Sequence, residues 1–135
     1  MNYWKNKKVL ITGINGFIGG NLCKNLLEKG AEVYGFIRNQ NKETFLFYEG
    51  LDKKIKIFSG DLCNKDLFSR IISEEQINSI FHLAAQVEVG VGMSNPYLTF
   101  ETNVRGTYSL LEACRLFPNK LESNVRFISK VFAHQ

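Results

Sequence analysis

The sequence predicts an α/β fold built on a doubly wound parallel sheet. Three observations support this prediction: short apolar runs alternate with segments of helical spacing, a glycine-rich turn follows the first apolar run, and no repeat or low-complexity stretch interrupts the 135 residues. Continuously apolar strands are typical of parallel sheets, and strands that alternate with helices form βαβ units. We therefore expect a sheet with the strand order 3-2-1-4-5, truncated after its fifth strand.

The first half of the chain predicts two strands with a helix between them. Strand 1 is expected over Lys8–Thr12, which is almost continuously apolar. The helix is expected over Phe17–Glu28, because leucines recur at helical spacing and Lys29-Gly30 stops the pattern. Strand 2 is expected over Glu32–Ile37, and the apolar cluster Phe45–Tyr48 favours a short helix.

The second half of the chain predicts further strands and two helices. Asn64 is expected to cap a helix that reaches residue 72. Asn95 is expected to cap a long helix that has Pro96 at its first position and ends near Leu116. Strands 3, 4 and 5 are expected at residues 55–58, 79–83 and 125–128.

The turn after strand 1 predicts a site for a pyrophosphate. It reads Thr-Gly-Ile-Asn-Gly-Phe-Ile-Gly at residues 12–19. Gly13 can take backbone angles closed to other residues, Gly16 lets the main chain approach phosphates, and Gly19 lets helix and strand pack closely. The helix N-terminus adds unpaired N–H groups and a partial positive charge. The spacing differs from G-x-G-x-x-G, so a purely structural turn is the alternative to a dinucleotide site.

Charge and cysteine content argue against several functional classes. Lysine and arginine total 17 against 13 acidic residues, a net charge of +4, and they are scattered, so we expect no nucleic-acid partner. Cys23, Cys63 and Cys114 lack metal-type spacing, which predicts no metal site and a reduced, cytoplasmic setting. The sequence shows neither a signal peptide nor an apolar run that could cross a bilayer, so no membrane association is expected.

Four motifs occur in order along most of the chain. The turn at residues 12–19 is followed by Gly60-Asp61-Leu62 after strand 3 and by His82-Leu83-Ala84-Ala85-Gln86 at strand 4. The last motif joins Asn95-Pro96 to residues 101–107 and 110–113. Together they resemble the extended short-chain dehydrogenase/reductase family, the NAD(P)-dependent nucleotide-sugar epimerases and dehydratases, which implies a Rossmann-like fold. Residues 82–86 and 99–115 lean toward a sugar-nucleotide 4,6-dehydratase.

The resemblance implies a cofactor, NAD or NADP, and a set of residues that bind it. Asp61 would accept a hydrogen bond from the adenine amino group, or would instead cap the helix that follows it. Leu83, Ala84 and Ala85 would run beside the ribose and nicotinamide. Asn103 would hold the end of strand 4 and a water, or would bond neighbouring backbone. The implied cofactor-binding residues are Gly13, Asn15, Gly16, Phe17, Ile18, Gly19, Arg38, Asp61, Leu62, Leu83, Ala84, Ala85, Gln86 and Asn103.

Two side chains near the expected cleft carry separate interpretations. Arg38 stands at the end of strand 2, where an acidic residue would bind the ribose 2′-hydroxyl of NAD. It could pair with the 2′-phosphate of NADP or stay solvated, so NAD and NADP are both open. His82 is interpreted as a core histidine, or as one that supports the site without touching the ligand, rather than as a catalytic one.

The resemblance places most of the catalytic chemistry after strand 5. There, a tyrosine and a lysine in a Tyr-x-x-x-Lys helix serve proton transfer while hydride moves from a sugar carbon to the nicotinamide. No such helix follows residues 125–128 here, and the literal match at Tyr3 and Lys7 precedes strand 1, so we interpret it as chance. Ser129 is the candidate for the catalytic hydroxyl that the family places at the end of strand 5.

The resemblance therefore implies part of an enzyme of nucleotide-sugar metabolism. Residues 1–135 are expected to form an incomplete dinucleotide-binding domain without the substrate domain, inactive alone. The alternatives are a non-catalytic dinucleotide-binding remnant and one half of a split enzyme. The expected partners are a nucleotide-sugar substrate and either a second copy in a homo-oligomer or a complementing C-terminal chain.

Overall fold

A parallel sheet forms the centre of the structure. Within residues 2–85 and 89–117, which the computed structural model describes, the strand order is β3-β2-β1-β4. The strands are β1 (Lys8–Thr12), β2 (Glu32–Ile37), β3 (Lys56–Ser59) and β4 (Ser79–His82). The parallel sheet and the order 3-2-1-4 confirm the prediction, whereas the predicted strand 5 lies outside the described residues.

Helices alternate with these strands. They are α1 (Phe17–Glu28), α2 (Phe45–Tyr48), a 3-10 turn (Leu51–Lys54), α3 (Lys65–Glu75), α4 (Val89–Ser94), α5 (Pro96–Phe100), a π-helical turn (Glu101–Arg105) and α6 (Gly106–Leu116). The long helix expected after Asn95 is present, but the π-helical turn divides it into α5 and α6. Such turns are rare and are frequent at functional sites.

The strand boundaries differ from the sequence predictions by one residue at three points, namely both ends of β3 and the end of β4. Strand β3 begins one residue later than expected, because its pairing with β2 starts where Lys56 lies opposite Tyr34. Strand β4 ends at His82, one residue before the predicted end, where its pairing with Thr12 of β1 ends. These shifts leave the predicted strands and their order unchanged.

Two helices differ from the sequence predictions. Helix α3 extends beyond residue 72 to Glu75, where Gln76 adopts a left-handed conformation with φ of 56° and ends it. Helix α4 is absent from the sequence prediction, since Gly90 and Gly92 disfavour a helix within Val-Gly-Val-Gly-Met-Ser.

The predicted helix caps are confirmed. The Asn64 side chain accepts a hydrogen bond from the backbone N–H of Leu67 at 3.1 Å and so begins α3. Asn95 accepts one from Leu98 at the same distance, with Pro96 at the first position of α5. Short polar side chains at these positions satisfy N–H groups that the helices leave unpaired.

Side chains of β1 alternate between the two faces of the sheet, and all of them are buried after Lys8. Val9 and Ile11 pack with Cys23 of α1 and Leu46 of α2. Leu10 packs in a second cluster, whose helical members are Phe68, Ile71, Ile72, Leu110, Ala113 and Cys114 from α3 and α6. Because helices cover both faces, the sheet is doubly wound and its central strand is continuously apolar.

The carboxyl ends of the parallel strands meet at one edge of the sheet. Thr12 pairs with Phe36 of β2 on one side and with His82 of β4 on the other. From β1 the chain crosses to β2 and later to β4, which lie on opposite sides of β1. Ligands of open α/β sheets bind outside such a switch point, so this edge positions the candidate site.

Candidate dinucleotide-binding site

Gly13 joins the end of β1 to the glycine-rich turn. Its φ of +70° lies in the left-handed region that favours glycine. A Cβ atom at this position would lie 2.7 Å from the backbone nitrogen of Ala84, closer than real Cβ contacts. Backbone conformation and space both require glycine here, and the turn therefore lies directly against the residues that follow β4.

The other two glycines of the turn differ in how tightly they are packed. A Cβ atom at Gly19 would collide with the carbonyl oxygen of Gly13 and lie 2.8 Å from the Cα atom of Ile14. At Gly16 the nearest atom is the Gly13 oxygen at 3.3 Å, a contact that a small shift relieves. Gly19 thus brings α1 close to β1, while Gly16 stays exposed at the mouth of the turn.

The N-terminus of α1 has no side-chain cap. Gly16 is its N-cap residue, and the first turn contains no acidic side chain. The first N–H groups of this 12-residue helix and the positive end of its dipole are therefore available to an anion. Phosphate groups bind at helix termini of this kind.

A cavity of about 290 Å³ opens beside this helix end. The glycine-rich turn forms one wall, the end of β2 a second and the residues after β4 a third. The lining residues are Gly13, Asn15, Gly16, Phe36, Ile37, Arg38, Asn39, Leu62, Leu83, Ala84, Ala85 and Thr102. The structure thus brings together residues that the sequence predicts from the turn, strand 2, strand 3 and strand 4.

Other predicted residues lie away from this lining. Phe17 is 77% exposed and Ile18 is 45% exposed on the first turn of α1. Asn103 is half-buried, and its backbone oxygen accepts a hydrogen bond from the Thr107 hydroxyl at 2.6 Å. Two predicted residues, Gln86 and Ser129, lie outside the described residues.

Sequence reasoning missed part of the cavity wall. Phe36, Ile37 and Asn39 flank Arg38 at the end of β2, a position that the parallel order makes part of the site. Thr102 lies in the π-helical turn and belongs to the motif at residues 101–107. That motif is the signal that could have identified Thr102. Helical periodicity alone, however, does not show which side chain of a π-helical turn lines the cavity.

A second cavity of about 240 Å³ adjoins the first. The lining residues common to the two cavities are Arg38, Leu62 and Thr102. Asp61 and Cys63 line the second cavity from the loop before α3, and the Asp61 carboxylate accepts the backbone N–H of Cys63 at 2.8 Å. Because Asn64 is the N-cap of α3, Asp61 does not fill the capping position that was the alternative to its adenine contact.

His82 is buried at the end of β4 and contacts the elements on either side of it. Its Nδ1 atom is 2.7 Å from the Thr12 hydroxyl, and its Nε2 atom is 3.1 Å from the Thr107 hydroxyl. Burial lowers the pKa of the imidazole below its usual value. The structure therefore places His82 in the core, as the sequence predicts.

A family model described as GDP-mannose 4,6 dehydratase matches residues 10–130. The chain belongs to this family. It is 37% identical over 125 residues to the GDP-mannose 4,6-dehydratase of Sordaria araneosa, a match that covers 93% of this chain and 23% of that protein. It is 38% identical over 118 residues to the GDP-mannose 4,6-dehydratase of Vibrio cholerae, covering 82% of this chain and 32% of that protein. The chain thus spans about a quarter to a third of these relatives' length.

Solved structures of epimerases share the fold of this dehydratase-family chain. An epimerase of Methanothermobacter thermautotrophicus aligns with a TM-score of 0.79 and 26% identity over 95% of this chain and 36% of the epimerase. The UDP-glucose 4-epimerase of Thermus thermophilus, determined in complex with NAD, aligns with a TM-score of 0.71 and 36% identity over 82% of this chain and 34% of the epimerase. The Rossmann-like fold and the membership of an epimerase and dehydratase group are therefore confirmed.

The literal Tyr-x-x-x-Lys match of this dehydratase-family chain lies far from the cavity. Tyr3 and Lys7 precede β1, whereas the cavity lies beyond the opposite end of that strand. The ammonium group of Lys7 is 5.2 Å from the centre of the Tyr3 ring, so the two side chains contact each other at the amino end of the sheet. This pair contributes nothing to the candidate site.

The described part of the chain offers little support for a metal site or for a reactive thiol. Residues 2–85 and 89–117 contain no group of three or more His, Cys, Asp or Glu side chains that could hold a metal ion. Cys23, Cys63 and Cys114 are free thiols, and burial raises the pKa of Cys23 and of Cys114 to about 11. Within the same ranges, none of the helices combines the length and apolarity needed to cross a membrane.

Proposed function

We propose that these residues form the cofactor-binding portion of an NAD(P)-dependent nucleotide-sugar 4,6-dehydratase or epimerase. The observation that carries the proposal is the uncapped N-terminus of α1, which opens into a cavity lined by Gly13, Gly16 and Ala84. N–H groups without an internal partner stabilise an anion most where no acidic side chain competes. A pyrophosphate bound there would be held by the main chain.

The two adjoining cavities also support the binding of a dinucleotide, because they share Arg38, Leu62 and Thr102 in their lining. The cavity beside the turn extends past small side chains at Ala84 and Ala85, which leave room for the ribose and nicotinamide. The second cavity extends from Arg38 toward Asp61, where an adenine amino group could donate to the carboxylate. The bound cofactor would accept hydride from a sugar carbon, and the residues described here would bind and orient it.

The proposed phosphate contact is tested by placing a charge at the helix N-terminus. Gly16 has φ of −78° and ψ of 169°, which other residues adopt without strain. Gly16→Asp would cap α1 but put a carboxylate where the pyrophosphate should bind, whereas Gly16→Asn caps the helix without charge. In calorimetric titrations with NAD⁺ and NADP⁺, we expect Gly16→Asp to raise Kd at least about tenfold more than Gly16→Asn. Equal affinities of the two variants would contradict the proposal.

The choice between NAD and NADP depends on Arg38 in this proposal. Arg38 is exposed at the end of β2, lines both cavities, and has Ile37 and Asn39 rather than an acidic residue as its chain neighbours. A guanidinium at this position favours a 2′-phosphate. We expect Arg38→Ala to weaken NADP⁺ binding by about tenfold and to leave NAD⁺ binding almost unchanged. An equal loss for both dinucleotides would show that Arg38 does not discriminate between NADP⁺ and NAD⁺. The proposal therefore includes both cofactors.

The substrate, the turnover and the catalytic hydroxyl are also proposals. A nucleotide sugar is the expected substrate, with Ser129 as the candidate hydroxyl. The isolated 135 residues are expected to bind the dinucleotide without turning over GDP-mannose, because they span about a quarter to a third of the curated relatives they match. Turnover of a sugar nucleotide by the isolated chain in the presence of NAD(P)⁺ would overturn this expectation. Dinucleotide binding without turnover also fits the two alternatives, a non-catalytic remnant and one half of a split enzyme.

Association with a second copy or with a complementing chain is the remaining proposal about partners. The helical face from α5 to α6 carries an exposed apolar row, and its members are Tyr97, Phe100, Val104, Tyr108 and Leu111. Rows of this kind on a helix are typical of surfaces that become covered. Sedimentation analysis should therefore show association, and a monodisperse monomer would contradict it.

A further inference from the structure

Four hydroxyl, imidazole and carbonyl groups form a chain of hydrogen bonds beside the cavity. It runs from Thr12 at the end of β1 to His82 at the end of β4, then to Thr107 on α6 and to the backbone oxygen of Asn103 in the π-helical turn. Thr12 and His82 are 0% and 3% exposed. The chain therefore connects, within the core, the elements that carry the Gly13 turn, the residues after β4 and the π-helical turn of Thr102.

The direction of every bond in this chain follows from the carbonyl acceptor at its last member. The Asn103 oxygen can only accept, so the Thr107 hydroxyl donates its single proton there and the Nε2 atom of His82 must donate to Thr107. The Thr12 hydroxyl, which accepts the backbone N–H of Ala84 at 3.2 Å and shares that of Leu83 with its own backbone oxygen, then donates to the Nδ1 atom of His82, at 2.7 Å. Nδ1 is therefore unprotonated.

The distances along the chain agree with that tautomer. A neutral imidazole that accepts at Nδ1 carries its proton on Nε2, which donates to the Thr107 hydroxyl at 3.1 Å. Thr107 then donates its own proton to the Asn103 oxygen at 2.6 Å. Each of the first three groups gives one proton in the same direction and the Asn103 oxygen accepts the last one, so every member has a partner.

We propose that His82, as the neutral Nε2–H tautomer, is a positioning residue that holds the Gly13 turn, the Leu83–Ala85 wall and the π-helical turn of Thr102 in one arrangement. The binding part of this inference rests on the proposed dinucleotide function, whereas the tautomer does not. Buried networks in which every group is satisfied fix the elements they join more firmly than separate contacts do. Hydrogen bonds made behind a binding site in this way orient the groups that contact a ligand.

The tautomer is tested directly by long-range ¹⁵N–¹H NMR correlation on histidine-labelled protein. The chain has two histidines, so His134→Gln leaves the imidazole signals of His82 alone. We expect a protonated Nε2 and an unprotonated Nδ1 that persist below pH 6.5, about the ordinary pKa of an imidazole. An Nδ1–H tautomer, or an imidazolium at about pH 6.5, would overturn the proposal.

The positioning role is tested by removing one hydroxyl from the chain. Thr107→Val deletes the acceptor of His82 at nearly constant volume, and Thr107→Ser restores a hydroxyl. Ser69→Ala is the matched control, because Ser69 has a buried hydroxyl that makes no hydrogen bond in the described part of the chain. We expect Thr107→Val to raise the Kd for the dinucleotide about three- to tenfold, and Thr107→Ser and Ser69→Ala to change it less than about twofold.

Each result separates the inference from the function on which it rests. If the unmodified chain binds neither NAD⁺ nor NADP⁺, the proposed function fails, and the NMR experiment still decides the tautomer. If the chain binds a dinucleotide and Thr107→Val binds it equally well, the positioning role of His82 is refuted while the function stands. If Ser69→Ala weakens binding as much as Thr107→Val, the loss reflects general destabilisation and the positioning role is again refuted.

Discussion

Gly13→Ala should destabilise the fold more than an equivalent change at Gly50. Both glycines have left-handed backbones, with φ of +70° and +67°. A Cβ atom at Gly50 would have nothing within 4 Å, whereas one at Gly13 would lie 2.7 Å from the Ala84 nitrogen and 2.9 Å from the carbonyl carbon of Leu83. The two variants therefore share the backbone strain and differ in the steric contact.

The expected free energies follow from that difference. Left-handed strain costs about 1–2 kcal/mol for alanine, so Gly50→Ala should lower the free energy of unfolding by about that amount. At Gly13 the contacts are backbone atoms of a neighbouring strand end, and overpacking adds about 1–3 kcal/mol. The total for Gly13→Ala is about 2–5 kcal/mol.

Urea unfolding followed by circular dichroism measures both variants. With a slope of about 2 kcal/mol per M, an excess loss of about 2 kcal/mol lowers the midpoint of Gly13→Ala by about 1 M relative to Gly50→Ala. The slope should be unchanged, since the same surface is exposed on unfolding. Equal midpoints for the two variants would refute the reasoning that Gly13 is constrained by its packing against Ala84.

Three further predictions concern a helix cap, an imidazole and the thiols. Asn64→Ala should lower the free energy of unfolding by about 1 kcal/mol in urea titrations, because the side chain caps α3. Burial holds the pKa of His82 in the folded chain below its unfolded value of about 6.5. The contribution of neutral His82 to the free energy of unfolding is therefore fully present above that pH and is lost as the pH falls toward the folded pKa. The decrease in unfolding free energy from about pH 7.5 to about pH 5.5 should consequently be smaller in His82→Gln. Cys63 is half-buried, whereas Cys23 is buried and its burial raises the pKa of its thiol to about 11. Mass spectrometry should therefore find Cys63 alkylated before Cys23, and the reverse order would contradict the structure.

Local patterns were sufficient for most elements of the fold. Continuous apolar character identified β1, and an asparagine just before each predicted helix identified the caps of α3 and α5, because both signals depend only on neighbours along the chain. The same local signals failed for α4, whose glycines disfavour a helix. They also gave no sign of the π-helical turn, which divides the predicted long helix.

The candidate site was predictable as a set of motifs, but its walls were not. Motif order placed Gly13, Leu83 and Ala84 near one edge, and the cavity confirms that they lie together. Thr102 and Asn39 were missed, because which side chain faces the cavity depends on how a helix or a strand end is rotated. For Asp61 the structure removes one alternative, because Asn64 occupies the capping position, and its adenine contact stays a prediction.

By itself, the sequence determined the alternation of strands and helices and the glycine-rich turn that follows β1. These depend on backbone preferences and on apolar spacing, which act over a few residues. Only the tertiary structure decided that Gly13 lies against Ala84 and that His82 receives the proton of Thr12, a residue 70 positions earlier. The register that places Thr12 beside His82 is set by the pairing of β1 with β4, and no local pattern encodes a contact between segments so far apart.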